Sequence, residues 1–259
     1  MTIAPLWGVA LGPGRQALLA LAGVGAGIVN GVAGGGTLVS FPTMLAMGYP
    51  ALTANVTNTV GIWPGYVSGV AGFRREVAGQ RPLVRALAVP SIVGALLGAV
   101  LLLVTPPSDF KTAAPWLILF AAVLFAVQPL VARRLGESHV ASARRLPLHA
   151  GTFLCAVYGG YFGAGLGVML LAVLGLALPD TLARSSGLRT VLSVLVNGVA
   201  AFVFVVHSPL VWEVVALLAS GSLVGGWLGA RLALRVPAPV LRTIVVLVGT
   251  ATAARLFAG

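Results

Sequence analysis

Eight long apolar runs occupy most of this 259-residue chain, and only short polar gaps separate them. An α-helix needs about 20 mainly apolar residues to cross the roughly 30 Å of hydrocarbon in a bilayer. The pattern therefore predicts an all-α polytopic membrane protein with seven or eight hydrophobic segments, whose surroundings are the lipid bilayer. The runs are residues 17–47, 51–73, 83–104, 114–132, 148–178, 182–206, 210–230 and 240–257.

Composition supports the same class of protein and argues against a nucleic-acid-binding one. Hydrophobic residues make up 59% of the chain, charged residues only 8%, and the mean hydropathy is +1.04. In a soluble protein, a net charge of +11 would suggest a nucleic-acid partner. Here most basic residues fall in the short gaps between apolar runs, as the positive-inside rule requires, so we expect no nucleic-acid partner.

Two of the runs are too long and too rich in glycine to be single helices. The first contains GVAGGGTL from Gly31, and the second contains GYFGAGLG from Gly160. A shift of 129 residues brings these glycines into register, which indicates an internal duplication. The expected organisation is one membrane domain with a first transmembrane repeat at residues 1–135, a basic cytoplasmic linker at 136–147 and a second transmembrane repeat at 148–259.

Glycines with two different spacings lead to two different predictions. Glycines spaced by four residues form a stripe on one helix face and let two helices approach closely. Three consecutive glycines form no such stripe, and glycine costs roughly 1 kcal/mol relative to alanine in a helix interior, so residues 34–36 predict a break. The predicted packing stripes are Gly23, Gly27 and Gly31; Gly61, Gly65 and Gly69; and Gly221, Gly225 and Gly229.

Two topologies compete for the broken segments. If each broken segment crosses the membrane, eight spans divide the basic residues of the loops ten against five between the two faces. If each enters and returns as a re-entrant hairpin, every half crosses three times and the second half is inverted. The basic residues then divide twelve against three, with Arg15, Lys111 and Arg255 on the sparse face. The charges favour the inverted arrangement, which is typical of secondary transporters.

The motifs resemble those of the TauE/SafE family of membrane transporters, also known as the sulfite exporter family. The resemblance covers nearly the whole chain and implies transport of sulfur-containing or related organic anions across the inner membrane. In one departure, the second half reads FGAGLG where the first reads AGGGTL, so the two breaks need not contribute equally to a site. The matching strings are NGVAGGGTLVSFP at 30–42, ANVTNTVGIWPGYVSGVAGFRRE at 54–76, YGGYFGAGLGVMLLAVLGL at 158–176, LRTVLSVLVNGVAAFVF at 188–204 and GSLVGGWLGARLA at 221–233.

An anion site is expected where the two broken helices face each other. A helix that restarts after Gly36 or after Gly165 points its positive dipole end at the break, and glycine lets the backbone approach an oxyanion closely. Polar side chains inside apolar spans are costly and are therefore candidates for the same site. The candidate substrate-binding residues are Asn30, Gly34, Gly35, Gly36, Thr37, Asn55, Thr57, Asn58, Tyr158, Tyr161, Gly163, Gly165, Ser186, Arg189 and Asn197.

Arg189 is the strongest of these candidates. It lies five residues beyond Arg184, which places it roughly 7 Å deeper in the span at a rise of about 1.5 Å per residue. Its guanidinium would offer paired, planar donors to a sulfur oxyanion or a carboxylate. The alternative for both arginines is that they reach back to the membrane interface.

The remaining predictions concern function class, cofactors and assembly. The favoured function is a secondary transporter or exporter of small anions, and the alternative is a non-transporting scaffold that binds a partner. The five acidic residues lie at span ends and the three histidines lie outside the candidate core, so we expect no enzyme, no metal site and no cofactor. The sequence leaves open the substrate, the direction of transport, the coupling ion and whether the chain forms a homo-oligomer.

Overall fold

The computed structural model describes residues 11–137, 145–178, 180–233 and 239–258. These residues form eleven helices and, within those ranges, no β-strand. The predicted linker at 136–147 lies largely outside them. The helices are α1 Pro13–Val32, α2 Thr37–Ala46, α3 Ala51–Gly72, α4 Arg74–Val77, α5 Arg81–Val104, α6 Pro107–Glu137, α7 Arg145–Tyr161, α8 Leu166–Ala177, α9 Leu182–His207, α10 Trp212–Leu232 and α11 Pro239–Ala258.

Five of the helices are long and apolar enough to cross a membrane: α1, α5, the first 22 residues of α6, α9 and α10. Helices α2 and α8 are apolar but have only 10 and 12 residues, too few to cross alone. Helix α3 has 22 residues, but four buried polar residues interrupt its apolar surface between Asn55 and Thr59. The prediction of an all-α polytopic membrane protein is confirmed.

Helix α10 lies between α1 and α3, and glycines make both contacts. A β-carbon built on Gly27 would lie 2.5 Å from Gly226 N, and one built on Gly65 would lie 2.7 Å from Ser222 O. Side chains at these positions would therefore push the helices apart, and the predicted packing stripes are confirmed. The contacts advance in the same direction along all three helices, from Gly23 near Leu218 to Gly31 near Gly229, and from Gly61 near Leu218 to Gly72 near Ala230.

Both glycine-broken runs are helical hairpins. In the first, α2 folds back along α1, so that a β-carbon on Gly25 would lie 3.4 Å from Val39 Cγ1. In the second, α8 folds back along α7, with Gly159 beside Leu166 and Gly151 beside Val173. Each chain segment thus returns toward the end of the bundle from which it came, which is incompatible with a continuous passage through both broken segments.

The two hairpins open toward opposite ends of the bundle. The parallel helices α1, α3 and α10 all begin at one end, here named the first end, where Gln16 Nε2 donates to Glu213 Oε1 at 3.1 Å. Tyr49, which follows the first hairpin, lies at the first end too. Burial raises the pKa of its phenol most, the charge of Glu213 raises it further, and the charge of Arg15 lowers it. Tyr49 therefore interacts with charged groups of the first end.

Helices α5, α7 and α9 begin at the opposite end, named the second end. Helix α7 runs parallel to α5, since Gly94 packs on Phe153 and Gly98 on Val157. Helix α9 runs antiparallel to α3, since Gly69 lies near Thr190 and Trp63 near Gly198. The start of α9 lies at the second end, because Gln80 Nε2, just beyond α4, donates to the Arg184 carbonyl at 2.9 Å. The second hairpin therefore enters the bundle from the second end, whereas the first hairpin enters from the first end.

Candidate functional site

The two breaks have backbone conformations that require glycine. The first break is residues 33–36 and the second is residues 162–165. Gly34 has φ +83°, and Gly163 and Gly165 both have φ +79°, in the left-handed region that disfavours a side chain. Gly165 also caps the start of α8. These glycines therefore produce the sharp reversals at the hairpin tips, as the sequence predicts for residues 34–36.

The two breaks touch each other in the interior. Gly167 N, in the first turn of α8, donates to the Gly34 carbonyl at 3.0 Å. A β-carbon built on Gly34 would lie 2.5 Å from Gly167 Cα. The predicted convergence of the breaks is therefore present as a direct backbone contact, and one N–H group of α8 that could face an anion is already paired.

Asn30 holds the first break together. Its Oδ1 accepts from Gly36 N at 2.6 Å and from the Tyr66 hydroxyl of α3 at 3.2 Å. Asn30 is 4% exposed, and its Nδ2 has no protein partner within the described residues. The amide thus satisfies a backbone donor that the break leaves open and keeps two N–H groups available.

Arg189 extends from α9 to this same place. The side chain is 1% exposed, and Nη2 donates to the Gly31 carbonyl at 3.0 Å, while Nη1 lies against the Cα atoms of Gly34 and Gly167. Neither Nε nor Nη1 of Arg189 has a hydrogen-bond partner among the described residues, and none of the described acidic side chains forms an ion pair with Arg189. A buried charge without a counter-ion is costly in any low-dielectric interior.

Arg184 and Arg189 have different roles despite their proximity in sequence. The Arg184 side chain is 42% exposed, and its Nε donates to Asp180 Oδ1 at 2.8 Å. Arg184 thus behaves as an interfacial residue at the start of α9. The same alternative does not apply to Arg189, whose guanidinium points into the bundle and reaches the first break.

A second polar cluster faces the second break. Asn55 Nδ2 donates to the Tyr161 carbonyl at 3.0 Å, whereas Asn55 Oδ1 and both amide atoms of Asn58 have no partner in the part of the chain that the structure describes. Both asparagines have no exposed surface. The Tyr158 hydroxyl donates to the Ala164 carbonyl at 2.7 Å and so braces the tip of the hairpin. Asn55 and Tyr158 therefore contact the second hairpin, Asn58 lies three residues beyond Asn55 on α3, and Asn30 and Arg189 belong to the first break.

Other candidates are engaged in local contacts. Thr57 accepts from Val211 N at 3.3 Å, and Asn197 Nδ2 donates to Ser193 O in its own helix. Ser186 is half-buried and offers its carbonyl to Thr190. The remaining positions are Thr37, buried at the start of α2; Tyr161, whose hydroxyl donates to Thr105 Oγ1 at 3.4 Å; Gly35, packed against Phe125; and Gly163, near Asn197.

The sequence interpretation missed three residues of the site. They are Tyr66, Gly167 and Gly31, whose carbonyl accepts a hydrogen bond from Arg189. Tyr66 follows Thr59 by seven residues on α3 and therefore lies on the same helix face as the polar cluster, which is a signal that the sequence contained. Gly31 and Gly167 act through backbone atoms, and sequence does not reveal which carbonyl a distant arginine reaches.

Two opposed helical hairpins, several membrane-length helices and a buried guanidinium without a counter-ion among the described residues define a polytopic membrane protein of the transporter class. Comparison with known proteins gives the family: the sulfite exporter TauE/SafE profile matches residues 19–256, and the chain belongs to this family. The resemblance inferred from the motifs is confirmed.

Three curated relatives that align with this chain over most of their length are named as probable membrane transporter proteins. A probable membrane transporter protein, ORF9, of Sinorhizobium sp. is 30% identical over 93% of this chain and 92% of its own length. A probable membrane transporter protein of Haemophilus influenzae is 28% identical over 93% of both chains. YfcA of Escherichia coli K12, also named a probable membrane transporter protein, is 25% identical over 89% of this chain and 85% of its own. No solved structure matches. The chain is thus a multi-pass membrane transporter protein.

Proposed function

We propose that this protein is a secondary transporter of small sulfur-containing or organic anions, such as sulfite or sulfonates, in the inner or plasma membrane. Arg189 provides the positive charge that receives the anion, and the first and second breaks form the walls of the site. The observation that carries this proposal is the fully buried Arg189 guanidinium, two of whose nitrogen atoms have no partner and which binds no carboxylate among the described residues.

The chemistry of the open donors supports an oxyanion as the substrate. A guanidinium presents its N–H groups in one plane, and this geometry matches the oxygens of sulfite, a sulfonate or a carboxylate. The unpaired Asn30 Nδ2 is a further donor at the first break, where its side chain is held by Gly36 and Tyr66. Donors dominate this site, which suits an acceptor-rich anion.

The arrangement of the hairpins supports alternating access. The first hairpin enters from the first end and the second from the second end, so each could open a path to one side while the other stays closed. We propose that the two halves are inverted repeats, because a shift of 129 residues aligns their glycines and because their hairpins enter from opposite ends.

A groove at the first end offers an approach to the first hairpin. Its volume is about 510 Å³, and it runs beside the end of α2 from Pro42 to Ala46. Lys111 and Arg255 line it, and both are exposed. Two of the three basic residues assigned to the sparse face thus lie together, which supports this groove as an attractive mouth for anions on that side.

Flux through reconstituted vesicles tests the function. Purified protein in liposomes is expected to accelerate movement of at least one member of a panel comprising sulfite, thiosulfate, alkylsulfonates and small carboxylates. The same compounds are expected to raise the thermal unfolding midpoint, because a ligand that binds only the folded state stabilises it. A protein that neither moves nor is stabilised by any of them would favour the alternative of a non-transporting scaffold.

Single-cysteine labelling tests the topology. In a Cys155→Ala background, Gly14→Cys and Pro50→Cys flank the first hairpin, and Ala78→Cys lies at the second end; all three positions are exposed. We expect a membrane-impermeant maleimide to label Gly14→Cys and Pro50→Cys from the same side and Ala78→Cys from the other side. Labelling of the first two from opposite sides would restore the eight-span topology.

A further inference from the structure

Helix α3 carries a buried pair of amides, Asn55 and Asn58, and Asn55 contacts the end of α7 beside the second break. Asn55 and Asn58 are three residues apart on α3, so their side chains are neighbours on one helix face, about 5–6 Å apart at their β-carbons. Both are fully buried, and three of their four amide atoms have no partner among the described residues. Burying an amide without a hydrogen bond costs roughly 1–3 kcal/mol, so this pair is built for a ligand.

The orientation of Asn55 shows which kind of ligand the pair can take. Its Nδ2 donates to the Tyr161 carbonyl, and this bond identifies the opposite atom, Oδ1, as the free acceptor. Asn58 can turn its own Oδ1 toward the same end of α7, because neither end of its amide has a partner among the described residues. Asn55 Oδ1 and Asn58 Oδ1 are thus two neutral acceptors that neighbouring positions on one face of α3 can supply, in contrast to the donors that surround Arg189.

The backbone of the second break adds negative potential to the same place. Helix α7 ends at Tyr161, and the C-terminal end of a helix carries about half a negative charge. The end of α1 is its counterpart in the first half, and there the Arg189 guanidinium binds the Gly31 carbonyl. One hairpin therefore has a built-in cation at the end of its first helix, and the other has only uncharged amide oxygens.

From this asymmetry we propose that the second break binds a monovalent alkali-metal cation, such as Na⁺, between Asn55 Oδ1, Asn58 Oδ1 and the C-terminal end of α7. Amide and carbonyl oxygens are the ligands that hard cations prefer. A divalent ion would require carboxylates, and none of the four acidic side chains that the structure describes is buried. An amide pair also offers no group that holds a proton near neutral pH, which distinguishes this site from a proton-coupled one.

The cation site stands on the geometry of α3 and α7, whereas its role in transport rests on the proposed function. With a cation bound at the second break and an anion at Arg189, the substrate complex would carry a balancing charge into the membrane interior. The cation would then be cotransported with the anion, and its gradient would drive the anion.

The test compares alkali chlorides in a thermal-unfolding assay on the purified full-length protein. Wild-type protein is titrated with NaCl, KCl or LiCl, with choline chloride keeping the ionic strength and the chloride concentration constant. We expect at least one alkali ion to raise the unfolding midpoint saturably relative to choline, as binding to the folded state requires. Equal midpoints in all four salts would overturn the cation site.

Variants on the same helix assign the effect. Asn58→Ala and Asn55→Ala are each expected to weaken the cation response by about tenfold or more, because each removes an oxygen ligand. Asn58→Asp is expected to shift the response to lower cation concentration, since it adds a negative charge to the pair; this gain remains measurable even if the alanine variants fold poorly. An undiminished response in both alanine variants, or no gain in Asn58→Asp, would contradict the assignment.

Two controls separate this inference from the proposed function. Thr59→Val is the matched control, because the Thr59 hydroxyl donates to Asn55 O within its own helix and valine keeps its shape. It is expected to keep the cation response. Arg189→Gln is expected to lose stabilisation by anions and to keep stabilisation by the cation. If wild-type protein responds to the cation but to no anion, the anion site is refuted. If it responds to an anion but to no alkali cation, the cation site is refuted.

Discussion

Replacing Arg189 with glutamine is expected to abolish anion flux in reconstituted vesicles while the protein still folds. The substitution removes the charge and at least two charge-assisted hydrogen bonds to the anion, each worth about 1.5–3 kcal/mol, which corresponds to a loss of about 100-fold or more in affinity. The unfolding midpoint without anion should be unchanged or higher, because an unpaired buried charge is itself destabilising. The midpoint should no longer rise when anions are added.

Two further arginine variants make this result specific. Arg184→Gln is the matched control, since Arg184 is 42% exposed and bound to Asp180, and it is expected to keep transport near the wild-type level. Arg189→Lys keeps the charge but loses the planar set of donors, and an intermediate flux is expected. Transport at the wild-type rate in Arg189→Gln would remove Arg189 from the anion site.

Alanine substitutions at two glycines of α1 are expected to have opposite effects on stability. At Gly27 a β-carbon would lie 2.5 Å from Gly226 N and 2.7 Å from Ser222 O, so α1 and α10 would have to separate. Overpacking of this kind typically costs 1–3 kcal/mol, and clashes with several backbone atoms of α10 place Gly27→Ala at about 3 kcal/mol or more. Reduced yield of monodisperse protein and a lower unfolding midpoint would report it.

Gly14 is the control in the same helix, because no atom of the described residues lies within 4 Å of its added β-carbon. There alanine only removes the conformational freedom of glycine, which favours the helix by roughly 0.5–1 kcal/mol at most. We therefore expect Gly14→Ala to be neutral or slightly stabilising. A similar loss of stability in both variants would show that the α1–α10 contact does not determine the outcome.

Local spacing in the sequence was sufficient to predict the helices, the breaks and the packing stripes. Gly27 and Gly65 belong to four-residue series, and such a series places every glycine on one helix face whatever its partner is. At the breaks, Gly34, Gly163 and Gly165 likewise meet a local requirement, because their positive φ angles disfavour any residue with a side chain. These features were predictable because their physical cause lies within one turn of the residues concerned.

The pairing of residues across the site could not be predicted in the same way. Asn30 meets Tyr66, and Arg189 meets Gly31, across 36 and 158 positions of sequence. Which of the fifteen candidates converge depends on the register between packed helices, to which composition and spacing are blind. The burial of Arg189 was nonetheless predictable in part, because its distance from Arg184 indicated a deeper position along α9.

The expected role of the helix N-termini needs refinement. The sequence suggests that N–H groups after Gly36 and Gly165 are free to hold an anion. In the structure, Gly36 N is paired with Asn30 and Gly167 N with Gly34, because backbone donors cannot remain unpaired in an apolar interior. The side chains of Arg189 and Asn30 therefore supply the open donors in this conformation.

The hydrogen bond from Gly167 N to Gly34 O also provides a measurable signal for separation of the two hairpin tips. A single backbone hydrogen bond contributes about 0.5–1.5 kcal/mol net, so thermal motion can break the hydrogen bond that joins the hairpin tips. Each release exposes the Gly167 amide proton to exchange with solvent deuterium, as local opening does in general. The exchange rate of the peptide containing Gly167, with and without anion, would thus count how often the two halves of the protein part.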